Sequence, residues 1–509
     1  KKAFDSVWHE GLFFKLLENK IDGNFLSLIK SLYQTSKCAI KLSQSRTKFF
    51  SYSRGVRQGC ILSPILFNLY INELAAIFDY VNSDPFILPN NTKLSCLLYA
   101  DDLIILSKSR FGLQKCLDEL HNWCNKWLME VNLKKTKIMI FQKGNTKMNK
   151  PNFTLNSKNV EIVNEYCYLG MKLMPNGNFT LAQKQLSEKA LHALGSIRRH
   201  LNLHHLNPKL AIKIFESIVS PILLYNSEVW GAYIKNDQKK WDNSITEKTH
   251  LRFCKLYLGV GKKASNMASR AELGKFPLQI TIYKRLFKYI THINSLPETA
   301  IAKQAFLISK DLYLNNNTCF YKNAMDILKH YKCQRQIVDL ESISAQSLNP
   351  IIDSVKQSFV TLWKNQIEHS SKLYFYSTLK TEYELEKYLT VIKNTNHRRT
   401  LTRFRISNHK LMIECGRYHN IPKDERTCKL CTSNAIENEE HLLFSCQAYD
   451  NIRQNILTGL PNNTHQGDRN LSVDLLKSTD DETILKLSKF IYSCFELRDK
   501  SLETGNAER

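Results

Sequence analysis

No stretch of this sequence approaches the roughly 18 uninterrupted apolar residues of a membrane-crossing helix, so nothing in it reads as a membrane span. It begins without methionine and shows no signal-peptide pattern. The 14 cysteines lie at irregular spacing along 509 residues, which argues against the disulfide framework of a small secreted domain and for a reducing, intracellular location. Negative charge is scarce: 47 Asp and Glu against 72 Lys and Arg leave a net charge of +25. The basic residues are spread along the chain rather than gathered in one tail, which implies a polyanionic partner, a phosphate backbone being the commonest. The balance is ordinary for a globular protein, at 43% apolar and 23% charged residues, enough for a substantial core.

Against that background "LLYADDLIIL", Leu97 to Leu106, places two adjacent acids in an otherwise apolar run. A buried carboxylate without a partner is strongly disfavoured, so something is expected to hold the charge. The flanks predict strands over Leu94–Tyr99 and Leu103–Leu106, joined by a short Ala100-Asp101-Asp102 connection, that is, a β-hairpin with the acids at its tip. Asp is a favoured turn residue. A rigid pair of carboxylates also supplies the hard oxygen ligands that Mg²⁺ needs when it works on phosphates.

Further segments carry comparable detail. "KKAFDSVWHE" opens the chain, and "SRGVRQGCILSPILFNLYINEL", Ser53 to Leu74, is a Gly-rich turn running into an amphipathic helix with Leu66, Phe67, Leu69, Tyr70 and Leu74 at helical spacing. Ser63-Pro64 fits a helix start, with Ser as the cap. "GLQKCLDELHNWCNKWLMEVNLKKTKIMIF" reads as a helix over Leu113–Leu128, a turn and a strand over Lys137–Phe141; "CYLGMKL", Cys167 to Leu173, is too short to be read alone and takes a hairpin only from the resemblance below.

Taken in order, these segments resemble the reverse transcriptases of non-LTR (LINE-type) retrotransposons. The resemblance covers Lys1 to Leu173 and implies an α+β fold, a right-hand polymerase palm that is partial here, with the fingers largely missing. It assigns Asp101 and Asp102 to Mg²⁺ in a two-metal site. Phe4 takes the position of the gate against a ribose 2′-OH, with Lys2 and Ala3 where the backbone approaches the triphosphate. Gln58 and Gly59 contact nucleotide and template, Arg54 and Arg57 contact phosphates, and Tyr168, Leu169 and Gly170 grip the primer. Lys135, in the turn with Lys134 and Lys137, is carried over as the catalytic lysine, a charge stabiliser or proton donor for the leaving pyrophosphate; the spacing does not choose among the three. The family's first metal aspartate lies three residues before Lys2, a position this chain does not contain, so a fragment of a longer polymerase is expected. The implied partners are an RNA template, a DNA primer or target DNA, and deoxynucleotide triphosphates, in a ribonucleoprotein of nucleus and cytoplasm. The runners-up are a group II intron-type maturase and a catalytically inactive remnant that only binds nucleic acid.

Past the palm, expected over 1–175, the pattern turns helical: a thumb over 176–265 offering Lys184, Lys189, Arg198 and Arg199 to phosphates, a connector over 266–400 without a nameable motif, and a C-terminal tail over 451–509. Trp230 reads as core, and "NNNTC" and "NTNHRRT" as loops or boundaries. Between 401 and 450, Cys428, Cys431, His441 and Cys446 have the spacing C-x2-C-x9-H-x4-C, a closed set for structural Zn²⁺, approached by the basic stretch "NHRRTLTRFRISNHK". The knuckle and that stretch are expected to grip RNA or target DNA.

Overall fold

The computed structural model describes residues 2–81, 83–142, 151–333, 337–458 and 469–507. The chain forms two compact units, Lys1–Phe179 with Pro297–Asp311, and Thr180–Leu296 with Leu312–Arg509.

The first unit is mixed helix and strand, as expected, but its strands are short and pair two by two among the described residues. Its larger apolar cluster is drawn from distant segments: Val7, Leu12 and Leu16, then Leu66, Phe67, Tyr70 and Phe78, then Cys116, Leu120 and Trp123, all buried. A smaller one gathers Leu117, Ile138, Phe153, Leu155 and Val160. Half-buried Leu98, Leu103 and Ile105 pack against the larger one. Helix Arg110–Lys126 shows how local signals build this. The Ser109 side chain accepts from the Gly112 amide at 3.1 Å and starts the helix three residues ahead of the predicted Leu113. Cys116, Leu117, Leu120, Trp123 and Cys124 then fall at 3.6-residue spacing on the buried face. One ion pair lies at the core's edge. Lys15, almost fully buried, bonds Glu73, which also accepts from the Trp123 indole at 2.9 Å, so three helices meet at one carboxylate. Burial raises that carboxyl, but the Lys15 ammonium and the indole donors outweigh it and hold the group below its usual range.

Two expectations are corrected here. Ser63 does not cap its helix, Ser63–Ile71; Leu62 takes the cap position, and the Ser63 hydroxyl bonds back to the Arg57 carbonyl instead. The strand expected over Lys137–Phe141 pairs only at Lys137–Ile138, parallel to Glu161–Ile162.

The second unit is helical, its longest helices being Thr180–His200, Ile245–Leu258, Leu278–Ser295, Ala345–Glu368 and Asp481–Ala507. Trp230 is fully buried, as read from the sequence. "NTNHRRT" is not a loop. Asn394 caps helix Thr395–Arg405 by accepting from the Asn396 and His397 amides at 2.9 and 3.2 Å. Buried charge is satisfied in networks. Arg270 clasps Asp242 at 2.8 and 3.1 Å and Glu247 at 2.9 Å, and Glu247 also accepts from the Trp241 indole and the Leu278 amide. Arg405 likewise bonds Glu272 at 3.3 Å and Glu386 at 2.8 Å.

Gly112 sits in the first turn of helix Arg110–Lys126, where it crosses an earlier segment, and a Cβ there would lie 2.3 Å from the Ser83 carbonyl oxygen. Gly112→Ala is expected to destabilise the first unit by about 1–3 kcal/mol, the usual cost of overpacking against backbone. Urea unfolding followed by tryptophan fluorescence checks this, and an unchanged midpoint contradicts the close approach.

Candidate active site and metal centre

The opening segment and the Gly-rich turn, some fifty residues apart, are knitted together by backbone. Trp8 and Arg54 form an antiparallel bridge, the Val56 amide donates to the Phe4 carbonyl at 2.8 Å, and the Gly55 amide donates to the Val7 carbonyl at 2.8 Å. His9 Nε2 reaches the Gly55 carbonyl at 2.9 Å. Gly55 adopts φ +96, and a Cβ there would come within 3.2 Å of the Asp5 backbone, so only glycine fits. The same approach sets the side chains. Gln58 Nε2 donates to Asp5 Oδ1 at 3.0 Å, and Phe4 stacks on Phe67 with ring centroids 4.6 Å apart. Ala3 is buried beneath them, whereas Lys2, Arg54, Gln58 and Gly59 are exposed. Arg57 turns back to the Leu32 carbonyl at 3.0 Å and to Ser36.

The acidic run forms the predicted hairpin, with strands Cys96–Tyr99 and Asp102–Ile105. Its loop is the two residues Ala100 and Asp101, and Asp102 already pairs with Tyr99. Ala100 takes φ 52, an αL conformation that costs a non-glycine residue about 1 kcal/mol or more. The apolar run around them predicts buried carboxylates, but neither is buried. Asp101 and Asp102 are both exposed, because the tight loop lifts them off the core, so their charge requires no partner in order to fold. Their position does have a neighbour. Tyr168 is held above its ordinary phenol value by burial and then by the Asp102 charge, which brings the second hairpin into electrostatic range of the first.

That second hairpin, Tyr166–Tyr168 with Met171–Leu173, turns through Leu169 at φ 44 and Gly170 at φ 80, a two-residue loop with both residues left-handed. The Tyr166 hydroxyl donates to the Lys135 carbonyl at 3.3 Å, tying the hairpin to the lysine turn. Lys135 itself is exposed, whereas Lys137 pairs with Glu161.

Residues 1–173 match the protein family described as reverse transcriptase (RNA-dependent DNA polymerase). Those residues are a reverse transcriptase domain. Among relatives, the chain is 27% identical over 251 residues to the RNA-directed DNA polymerase from mobile element jockey of Drosophila funebris, covering 45% of this chain and 25% of that protein. The similarity to the Pol polyprotein from type-1 retrotransposable element R2 of Nasonia vitripennis is 33% over 120 residues, 24% of this chain and 11% of that protein. A third relative, the Transposon TX1 149 kDa protein of Xenopus laevis, is 29% identical over 115 residues, 23% of this chain and 9% of that protein. The chain thus spans about a quarter, or less, of the length of these relatives.

Beyond the reverse transcriptase domain, the four predicted zinc ligands come together. The sulfurs and ring nitrogen of Cys428, Cys431, His441 and Cys446 all lie within 4.8 Å of one another. Cys428 and Cys446 sulfurs are 3.9 Å apart, and Cys431 Sγ is 3.4 Å from His441 Nε2. A tetrahedral ion with Zn–S bonds of about 2.3 Å needs ligand edges of about 3.8 Å, so the set fits zinc closely. The Cys446 thiol, and after it His441 and the Leu430 amide, which donates to Cys428 Sγ at 3.5 Å, outweigh burial and hold the Cys428 thiol well below its ordinary value. By contrast, Asp101 and Asp102 belong to no group of three or more potential ligands among the described residues; the Cys/His set is the one such group.

Several residues that hold these sites were not legible in advance. Glu437 receives Arg498 at 2.7 and 2.9 Å and the Met412 amide at 2.7 Å, anchoring the metal loop to the last helix. His409 meets Glu439 at 3.0 Å in the same way. No local pattern links positions 61 residues apart. The basic approach to the knuckle is also partly internal: Arg398 and Arg405 are buried, Arg398 against the His204 and Ile392 carbonyls, so they are not available to a nucleic acid.

Glu437→Leu strands a buried guanidinium and is expected to cost about 3–5 kcal/mol of second-unit stability, whereas Glu437→Leu with Arg498→Met costs much less. Denaturant unfolding of both variants checks it; equal losses contradict the pairing.

Proposed function

We propose that the chain carries out RNA-directed DNA synthesis as part of a non-LTR retrotransposon polymerase, extending a DNA primer on an RNA template with deoxynucleotide triphosphates. The observation that supports this most is the convergence of three segments on one core: the Lys2–Trp8 opening, the Ser53–Gln58 turn and the Asp101–Asp102 hairpin. Asp101, with Asp102 as a second ligand, would hold Mg²⁺. Bound there, magnesium supplies the positive charge that stabilises the attacking and leaving oxygens of a phosphoryl transfer.

The chain's own residues do the rest by position. Phe4, propped by its stack on Phe67, closes the sugar pocket against a 2′-hydroxyl, and Gln58, oriented by Asp5, meets the incoming nucleotide. Tyr168, Leu169 and Gly170 hold the primer end beside Asp102, and Lys135 faces the leaving pyrophosphate. Helix Thr180–His200 presents Lys184, Lys189, Arg198 and Arg199 on its exposed side, which suits a thumb contacting duplex phosphates. Cys428, Cys431, His441 and Cys446 would hold a structural zinc ion. Such a polymerase works in a ribonucleoprotein of nucleus and cytoplasm.

One observation favours a second reading. Since no third carboxylate joins Asp101 and Asp102 among the described residues, the chain by itself fits a nucleic-acid-binding remnant of such a polymerase.

Primer extension on an RNA template in Mg²⁺ separates the two. Under the first reading the chain extends the primer, and Asp101→Asn slows extension by about a hundredfold or more, the order lost when one electrostatic contributor to such a transition state is removed. Binding of template-primer without extension by either chain supports the remnant. For the knuckle, elemental analysis is expected to find one zinc ion per chain, absent from Cys446→Ser. A chain that folds identically without zinc contradicts the assignment.

A further inference from the structure

The second unit carries a concave, lysine-lined surface that none of the roles above uses. A cleft of about 460 Å³ opens beside helix Ile245–Leu258, and Lys239, Lys255, Lys262 and Lys263 line it. None of these lysines forms an ion pair among the described residues. The single acid in the wall, Asp242, is fully engaged by Arg270 at 2.8 and 3.1 Å. Burial, and then the Arg270 charge, hold the Lys255 ammonium below its ordinary range, so an arriving anion would relieve it.

The cleft is also rigidly built. Lys255 Nζ donates to the Lys262 carbonyl at 2.9 Å, the Gly261 amide donates to Asn408 Oδ1 at 3.0 Å, and Arg403 Nε donates to the Gly259 carbonyl at 2.8 Å. Outside the lining but next to Lys263 stands Tyr418, 55% exposed, with the Lys263 and Lys372 ammonium groups 5.5 and 5.9 Å from its ring centroid. Lys372 Nζ also donates to its hydroxyl at 3.5 Å. Cations in a cleft beside an exposed aromatic face are the two elements of single-strand recognition: charge for the backbone and a π-surface for an unstacked base. The volume is that of a small-molecule pocket, too small for a duplex.

We propose that this cleft binds a single-stranded nucleic acid, with phosphates among Lys255, Lys262 and Lys263 and one base stacked on Tyr418. The proposal rests on reading the chain as one that handles nucleic acid, and it adds a strand-holding site outside the reverse transcriptase domain. RNA and DNA single strands share the chemistry it recognises.

Fluorescence anisotropy with the full chain, using labelled oligouridine, oligothymidine and a DNA duplex across a salt series, tests it. The Lys262→Glu/Lys263→Glu variant is expected to bind single strands tenfold or more weakly and to lose about 1.4 from the log–log salt slope, about 0.7 for each phosphate contact. Tyr418→Ala is expected to weaken single-strand binding by about 5- to 150-fold, one lost stack, with the salt slope and duplex binding unchanged. All three residues are exposed, and melting curves confirm that the variants fold. A loss confined to oligouridine assigns the site to RNA, one confined to oligothymidine to DNA, and a loss in both to either strand. Wild-type affinity of both variants for both single strands overturns the proposal, as does an equal loss of duplex binding by Tyr418→Ala. Primer extension by the wild-type chain is a separate readout, so its failure removes the polymerase reading, whereas the loss of single-strand binding in the Lys262→Glu/Lys263→Glu and Tyr418→Ala variants is read independently of it.

Discussion

The burial of one apolar cluster in the first unit is the constraint on which the site depends. Leu12, Leu16, Phe67, Tyr70 and Trp123 can leave water together only if segments more than a hundred residues apart converge. Burying each such side chain is worth about 1.5–3 kcal/mol, and no local hydrogen bond competes with that sum. The convergence brings the Phe4 carbonyl to the Val56 amide and seats the Asp101–Asp102 hairpin on the same core. Lys15 and Glu73 add direction to it. Their pair and the Trp123 indole leave few other ways for the three helices to meet.

The net charge of +25 is spent in two different ways. Arg270, Arg405 and Arg498 are buried and matched with Asp242, Glu272, Glu386 and Glu437, where the planar guanidinium satisfies several acceptors at once. These arginines hold the second unit together and contribute little to its outer field. Exposed lysines such as Lys184, Lys189, Lys262 and Lys263 remain outside, as compact, hydrated charges on flexible stems, and they are what a polyanion would meet. Overall charge therefore speaks for a polyanion without choosing residues, and in the arginine-rich stretch before the knuckle two arginines, Arg398 and Arg405, serve the interior.

The two candidate metal sites differ in how much of the site the chain itself supplies. Four soft ligands are gathered within 4.8 Å around Cys428, on a loop held by Glu437 and Arg498. At the hairpin two hard ligands stand exposed on a tight loop whose Ala100 pays for its left-handed conformation with strain that the paired strands absorb. Exposure suits a site that must admit a nucleotide with its metal, as burial suits a structural ion.

What the sequence by itself determined is whatever rests on neighbouring residues. The hairpin around Asp101, the amphipathic body of the helix from Leu113 onward and the C-x2-C-x9-H-x4-C spacing are set by local propensity, periodicity or ligand spacing and were legible in one dimension, whereas the Ser109 start of that helix was not. Only the tertiary structure decided the exposure of Asp101 and Asp102, the contact between Asp5 and Gln58, the bond of the exposed Arg57 to Leu32, the burial of Arg398 and Arg405, and the meeting of Lys263 with Tyr418. Those depend on which distant surfaces share a core, and residues far apart in sequence carry no local signal of the partner that burial will assign to them.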